Sequence, residues 1–450
     1  MKNCYVTDYA QKEYFKDTVF DLDENIRPDE RVLIKVFPKD IKQVLVGFGG
    51  AFTEAAASVY QKASEEVKQQ IVKMYFDKEE GLGYQLGRMA INSSDFALSN
   101  YTYFKKNAQD LRKFTIKREV KCTIPLVKDA MVYAKDLKMA VAPWSPPRHM
   151  KTNEDMNNGA KLLKAYYPFY AEYIVRYLTD MRRKGVKIEY LSIQNEPEAN
   201  QTWDSCLWTP EEAIQFVKIL EPKLKRKFLK TKIILLDHNR DLLEKWATAI
   251  AADEVASQIV WGLGIHWYVS EDFDALRRAK EIAPNLNILF TEGCVEGGPK
   301  PGAIDTGERY ARNIIGDLNN GCCGYIDWNL LLDINGGPNH KENYCDAPML
   351  LDGENLIVNS SYYYIGHFAK YLKAGSKVVR HELSDNRLQV LSALSKQKER
   401  VVVICNPTDE NIPYRVEGVK EDIAGIIKAH TIQTWLVRKD PVVEVQNEVQ

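Results

Sequence analysis

The chain has no cysteine pattern to staple it, no long apolar run and no surplus of either charge. Eight cysteines are scattered over 450 residues and none is spaced Cys-x-x-Cys, so free thiols are expected rather than a disulfide framework or a zinc site. Nowhere do roughly eighteen apolar residues follow one another. Met1 to Phe20 mixes charged and polar residues with no apolar core of the signal-peptide kind, and a cytoplasmic protein with no membrane insertion is the expectation. The 61 lysines and arginines nearly cancel the 62 aspartates and glutamates, so no global field recruits nucleic acid or an anionic membrane. Gly47-Phe48-Gly49-Gly50 lacks the third spaced glycine of a dinucleotide fingerprint, and the next helical pattern starts only about a dozen residues later. A tight backbone at the mouth of a barrel is the better reason for those glycines. No cofactor and no metal is called for.

What is present is an ordinary globular composition, 45% hydrophobic and 27% charged, arranged in a repeating order. Short apolar runs at Val44 to Phe48, Tyr84 to Ile91, Lys138 to Trp144, Ile188 to Asn195, Lys232 to Leu236, Ile259 to Trp267, Asn287 to Thr291 and Gly324 to Leu330 alternate with stretches of helical period. Helices are expected at about Ser64 to Phe76, Pro125 to Leu137 and Ala160 to Arg183, among others. The sharpest boundary is Thr209-Pro210-Glu211-Glu212, a reciprocal cap with proline at the first helical position. Eight such pairs predict a (β/α)8 TIM barrel over residues 43–373. Residues 374–450 lose the helical period, and Arg387 to Leu394, Arg400 to Cys405 and Thr431 to Val437 alternate like strands of an antiparallel β-sandwich. Residues 1–42 read as an extended segment joining that sandwich.

In a barrel the chemistry sits just past the carboxyl ends of the strands. Those positions hold Asp95, Trp144, Asn195 and Glu196, His266 to Tyr268, Glu292, and Trp328 with Asn329. Pro197 is expected to keep Glu196 extended. Two glutamates among aromatic rings suit a sugar, whose C–H faces stack on rings while its hydroxyls bond to charged and amide groups. Glu196 and Glu292 supply the acid and the second carboxylate that glycoside hydrolysis needs. Cys294 is weighed as a catalytic thiol against a plain buried one, which is the better reading. Glu54 reads as a structural hydrogen-bond partner. A carbohydrate-binding barrel without catalysis would keep the rings but has no need of both glutamates.

Gly-Phe-Gly-Gly-Ala-Phe-Thr-Glu (47–54), Ser-Asp-Phe (94–96), Ser-Ile-Gln-Asn-Glu-Pro (192–197), His-Trp-Tyr (266–268), Thr-Glu-Gly-Cys (291–294) and Asp-Trp-Asn (327–329) occur in that order. The set resembles glycoside hydrolase family 30, the glucosylceramidase group, over nearly the whole chain. The resemblance implies a barrel with a side sandwich and a retaining β-glycosidase working through a covalent glycosyl enzyme. By it Glu196 would be the acid/base, Glu292 the nucleophile, and Asn195 the holder of the sugar 2-hydroxyl. Asp95 and Trp144 would bind the far hydroxyls, and His266, Tyr268, Trp328 and Asn343 would line the pocket. Tyr268 would bond to the nucleophile, and Arg88 would support the carboxylates from below. The phenol and the arginine should favour an ionised Glu292.

Arg148 and His149, and His340 where the glucosylceramidases have tryptophan, depart from that pattern. They are expected beside the leaving group, facing a polar aglycone. The substrate expected is a short soluble β-glycoside or oligosaccharide losing one terminal sugar, β-glucose first. β-Xylose, β-fucose and endo-β-1,6-glucan cleavage are rivals within the family.

Overall fold

Eight parallel strands close into a barrel: Gly47–Ala51, Leu86–Ile91, Lys138–Pro143, Ile188–Ser192, Lys232–Asn239, Val260–His266, Asn287–Glu292 and Cys322–Asn329, here strands one to eight. Strand eight returns to strand one, with Gly324 opposite Gly47 and Tyr325 opposite Phe48. The strands are almost continuously buried, as strands covered on both faces must be. Leu86, Ala140, Tyr190, Ile234, Leu289 and Ile326 fill the interior, so the barrel is a packed core rather than a pore. The first-strand glycines now have a steric reason: a Cβ on Gly49 would sit 2.0 Å from the carbonyl oxygen of Leu86.

The computed structural model describes residues 2–18, 31–104, 110–420 and 423–438. It divides into two units, Val46–Lys373 and the described parts of Met1–Leu45 with Ala374–Gln450. The cap at Thr209 is formed in full: the Thr209 amide donates to Glu212 Oε2 at 3.0 Å, and the Glu212 amide donates to Thr209 Oγ1 at 3.3 Å. Three helices differ from expectation. Glu54–Lys62 is helical, capped by Thr53, although its Ala-Ala-Ala-Ser run carries little periodic signal. The helix expected from Pro125 runs Thr123–Tyr133. The helix expected from Ala160 begins at Tyr167, after a 3-10 turn, because Gly159 and Ala160 adopt left-handed backbone and Leu162 pairs with Lys151.

The second unit is a nine-stranded sheet folded over one apolar core. In sheet order its strands are Ile423–Ile427, Ile412–Glu417, Val32–Val44, Lys377–Leu383, Gln389–Leu394, Arg400–Asn406, Thr431–Val437, Lys2–Asp8 and Glu13–Thr18. Alternate residues such as Val32, Ile34 and Val36, or Val402 and Ile404, point inward. Among the described residues no helix is long and apolar enough to cross a membrane.

Candidate active site

Register brings the strand ends together before any side chain is considered. Asn239 at the end of strand five pairs with His266 of strand six, and His266 pairs with Glu292 of strand seven. Strand four delivers its residues one step further on. The Asn195 amide donates to the Pro143 carbonyl at 2.8 Å and the Glu196 amide to the Asp237 carbonyl at 2.9 Å. Glu196 is therefore not extended, as the proline rule predicts, but left-handed at φ 46. The bond to strand five overrides the local preference, and such a conformation costs on the order of 1–3 kcal/mol.

Strand five is itself irregular. Its register shifts between Leu236 and His238, and Leu236 and Asp237 both have positive φ, 66 and 57. The distortion aims Asp237, fully buried, at the centre of the mouth. There the carboxylate accepts two bonds from Arg88, at 2.9 and 3.1 Å, and one from the Thr291 hydroxyl. His266 Nε2 lies 3.1 Å from Asp237 and its Nδ1 3.2 Å from Glu196 Oε1. Arg88 also donates to Asn195 Oδ1 at 2.6 Å and stands 3.4 Å from Glu292 Oε2. The Tyr268 hydroxyl donates to Glu292 Oε1 at 3.0 Å. Trp144 and Trp328 stack with centroids 5.3 Å apart, and the Arg88 guanidinium lies 5.2 Å from the first ring and 5.9 Å from the second.

These contacts set the protonation of the site. Burial alone would raise Asp237, but Arg88 and His266 hold it well below the usual carboxylate range. Burial would lower His266, but the charges of Glu292 and Asp237 and its bonds to Asp237 and Glu196 lift it to about 9, an imidazolium at neutral pH. Burial also pulls Glu196 upward and is outweighed by His266, leaving that carboxyl low. Glu292 is raised by burial against the pulls of His266 and Arg88. The Glu196 carboxyl is thus lowered and the Glu292 carboxyl raised, the reverse of what the phenol and arginine alone predict for Glu292. Asp95 is pushed up to about 8, by burial first and the Glu292 charge second.

A cavity of about 410 Å³ opens over this floor. Of the residues picked out from sequence, Asp95, Trp144, Asn195, Glu196, Tyr268, Glu292, Trp328 and Asn343 line it. Arg88 and His266 lie behind that lining, fully buried. Asn343 Nδ2 donates to Asp95 Oδ2 at 2.8 Å, while Asp95 Oδ1 has no protein partner among the described residues. Glu54 is occupied structurally, paired with Arg118 at 2.6 Å.

Two expectations are corrected. Arg148 and His149 line a separate groove with Asn100, Tyr101 and Asp155, because the Pro146-Pro147 turn carries them off the mouth. His340 is folded inward, its Nδ1 2.7 Å from the Ala97 carbonyl. None of the three lines the cavity. The outer wall is made instead by Glu198, Gln201, Trp203, Asn239, Val269 and Glu296. Asp237 and Asn239 went unnoticed in the sequence, yet Asp-His-Asn directly after an apolar run is the same signal that marks Asn195 and Glu196.

Glu196, His266 and Glu292 each bring a ligand atom within 4.8 Å of the others, a metal-like count. However, both nitrogens of His266 already serve carboxylates, and an imidazolium has no lone pair to give. The trio suits proton transfer.

The glycosyl hydrolase family 30 TIM-barrel domain matches residues 45–372, and the family 30 β-sandwich domain residues 375–435. Lysosomal acid glucosylceramidase of Mus musculus is 29% identical over 91% of this chain and 84% of its own. Putative glucosylceramidase 3 of Caenorhabditis elegans is 32% identical over 87% and 80%. The crystal structure of SrfJ from Salmonella typhimurium superposes with a TM-score of 0.93 at 36% identity, covering 98% of this chain and all of that one.

Proposed function

This chain belongs to glycosyl hydrolase family 30, and from that premise we propose that it removes one terminal β-linked sugar, β-glucose first, from a short soluble glycoside with retention of configuration. The observation that carries the reading is the spacing of Glu196 and Glu292, whose carboxylate oxygens approach within 4.8 Å. So close an approach of single oxygens is compatible with the narrow carboxyl separation of a retaining pair, about 5–5.5 Å.

Glu292 is the nucleophile. Arg88 and Tyr268 flank it as donors, and donors serve the ionised form best. Glu196 is the acid. With the glycosidic oxygen over it, Glu196 carries the proton and passes it to the leaving group as Glu292 attacks the anomeric carbon, which leaves Glu196 as the base that draws a proton from water. His266 stays an imidazolium between Glu196 and Asp237, holding the freed carboxylate in place.

We read Asp95 and Asn343, which line the cavity and are bonded to each other, as its closed, sugar-binding end, where Asp95 Oδ1 still lacks a protein partner among the described residues. A closed end favours a terminal residue over an internal one. The cavity, about 410 Å³, lies in the lower half of the range of about 300–1,000 Å³ typical of ligand pockets. Trp203 offers a ring to the aglycone and Gln201 an amide.

The test compares aryl β-glucosides and cellobiose with micellar glucosylceramide and a β-1,6-glucan. Clear preference for either of the last two would sink the substrate assignment. An activated 2-fluoro glucoside should label Glu292, and the label on Glu196 would reverse the two roles.

A further inference from the structure

Two thiols meet in the wall of the catalytic cavity. Cys294 lies two residues beyond Glu292 and Cys345 two residues beyond Asn343. Both are free and buried, both line the cavity, and their sulfurs are 3.0 Å apart. The segments that carry them are zipped together: Glu296 bridges Cys345, Asp346 N donates to the Val295 carbonyl at 2.8 Å, and Gly298 N donates to the Tyr344 carbonyl at 3.0 Å. Cys294 Sγ is also 3.6 Å from the Tyr268 hydroxyl, the group that donates to Glu292. A chance pair of core cysteines would have no reason to line the cavity or to touch the nucleophile's own partner.

We propose that Cys294 and Cys345 are a modification site: a hydroperoxide converts them to a reversible disulfide that turns the hydrolase off. The Cys294 sulfur, giving up its proton, attacks one peroxide oxygen, the O–O bond breaks, and water leaves as Cys294 becomes a sulfenic acid. The Cys345 sulfur then attacks Cys294, the S–O bond breaks, and the hydroxyl departs with the Cys345 proton as a second water. Two thiols lose two electrons and two protons in all, and one hydrogen peroxide becomes two waters. The Cys345 thiol and burial push Cys294 well above the usual thiol range, so the pair answers sustained oxidant rather than a trace of it.

The bond draws the Cys294 sulfur off Tyr268 and staples the loop after strand seven to the loop after strand eight, across 51 residues of chain. Tyr268 and Asn343 then hold new positions relative to Glu292 and Asp95, and small displacements near reacting atoms cost rate steeply. Both cysteines are in the cavity lining, so an occupied site protects the pair. The effect on turnover rests on the catalytic reading of the cavity, while the crosslink does not.

The full chain is treated with hydrogen peroxide, the excess is removed with catalase, and intact mass, peptide map and aryl β-glucosidase activity are followed together. The expected result is a loss of about 2 Da mapped to Cys294–Cys345, a fall in turnover of roughly tenfold or more, and full recovery with dithiothreitol. An iminosugar in the cavity should slow all three. Cys345→Val, compared with itself before and after peroxide, should show no crosslink at Cys294 and no loss of about 2 Da, and Cys294→Ala is the second variant if the first does not fold. Both cysteines alkylating normally after peroxide, or oxidising to sulfinic acids without a crosslink, would overturn the proposal. So would a mapped disulfide that leaves turnover unchanged. A preparation inactive from the outset would refute the glycosidase reading, and the mass and map would still decide whether the crosslink forms.

Discussion

The floor of the barrel mouth and the core of the sandwich are both buried, but they are filled by different kinds of residue. In the sandwich, Val32, Ile34, Val390, Val402, Ile404 and Val416 pack against one another. One short line of polar atoms runs among them: Trp435 Nε1 donates to the Tyr414 hydroxyl at 2.7 Å, which donates to Gln433 Oε1 at 2.8 Å. In the barrel mouth, Arg88, Asp237, His266 and Glu292 are buried as charged or proton-sharing groups. Burying ions costs several kcal/mol each before pairing, and paired ions of this kind are often no better for stability than packed apolar side chains. The contrast teaches what each region is for. Sandwich residues hold a shape, whereas mouth residues hold charge in positions that folding alone would not select.

Four substitutions press on that contrast. Glu292→Gln should lower kcat on the order of 10⁴-fold or more, because it removes the atom that bonds to the sugar, while the melting temperature stays near that of the parent. A large drop in melting temperature would mean that the glutamate serves the fold. Asp237→Asn attacks the mouth where the two roles overlap. It leaves Arg88 and His266 short of a partner and should cost about 3–5 kcal/mol of stability. His266 loses a carboxylate that lifts it, so the alkaline limb of the kcat/KM profile should move toward lower pH. A profile superimposable on the parent's would remove Asp237 from the proton circuit.

Ile404→Ala is the reciprocal case in the sandwich. A loss of about 2–5 kcal/mol is expected, with kcat/KM per folded molecule unchanged, and any specific loss of rate would break the division. The smallest effect is expected from Asp95→Asn, read as stability against pH without ligand. The Asp95 carboxyl is raised to about 8, whereas in the unfolded chain an aspartate ionises at about 3.9. Between those values the unfolded chain releases a proton that the folded one keeps. The contribution is therefore complete below the unfolded value and is lost as pH rises through the folded one. The melting temperature of the variant should gain on the parent's from pH 5 to pH 8. A difference that stays flat across this window would show that the carboxyl is already ionised.

The sandwich and most barrel strands were legible because period-2 alternation and apolar runs with polar ends are local signals. The Thr209 cap was legible for the same reason. Asp237 was not, since its placement depends on left-handed backbone at Leu236 and Asp237, where no glycine marks the spot. Arg148, His149 and His340 illustrate the converse error. They stand at telling places in the sequence, but the turn after Pro146 and the contact with Ala97 decide where their side chains go. Sequence order indicates which loop a residue belongs to, and only the loop's own path sets the direction it faces.

The main-chain bond from Glu196 to the Asp237 carbonyl has a consequence for protein engineering. Asn195-Glu196-Pro197 reads as a self-contained cassette, yet the acid's backbone conformation is borrowed from the irregular end of the neighbouring strand. A graft of the tripeptide onto another barrel would import the glutamate without its geometry. The portable unit is the pair of adjacent strand ends, Asn195 to Pro197 with Leu236 to Asn239, and a recipient barrel would have to accept both together.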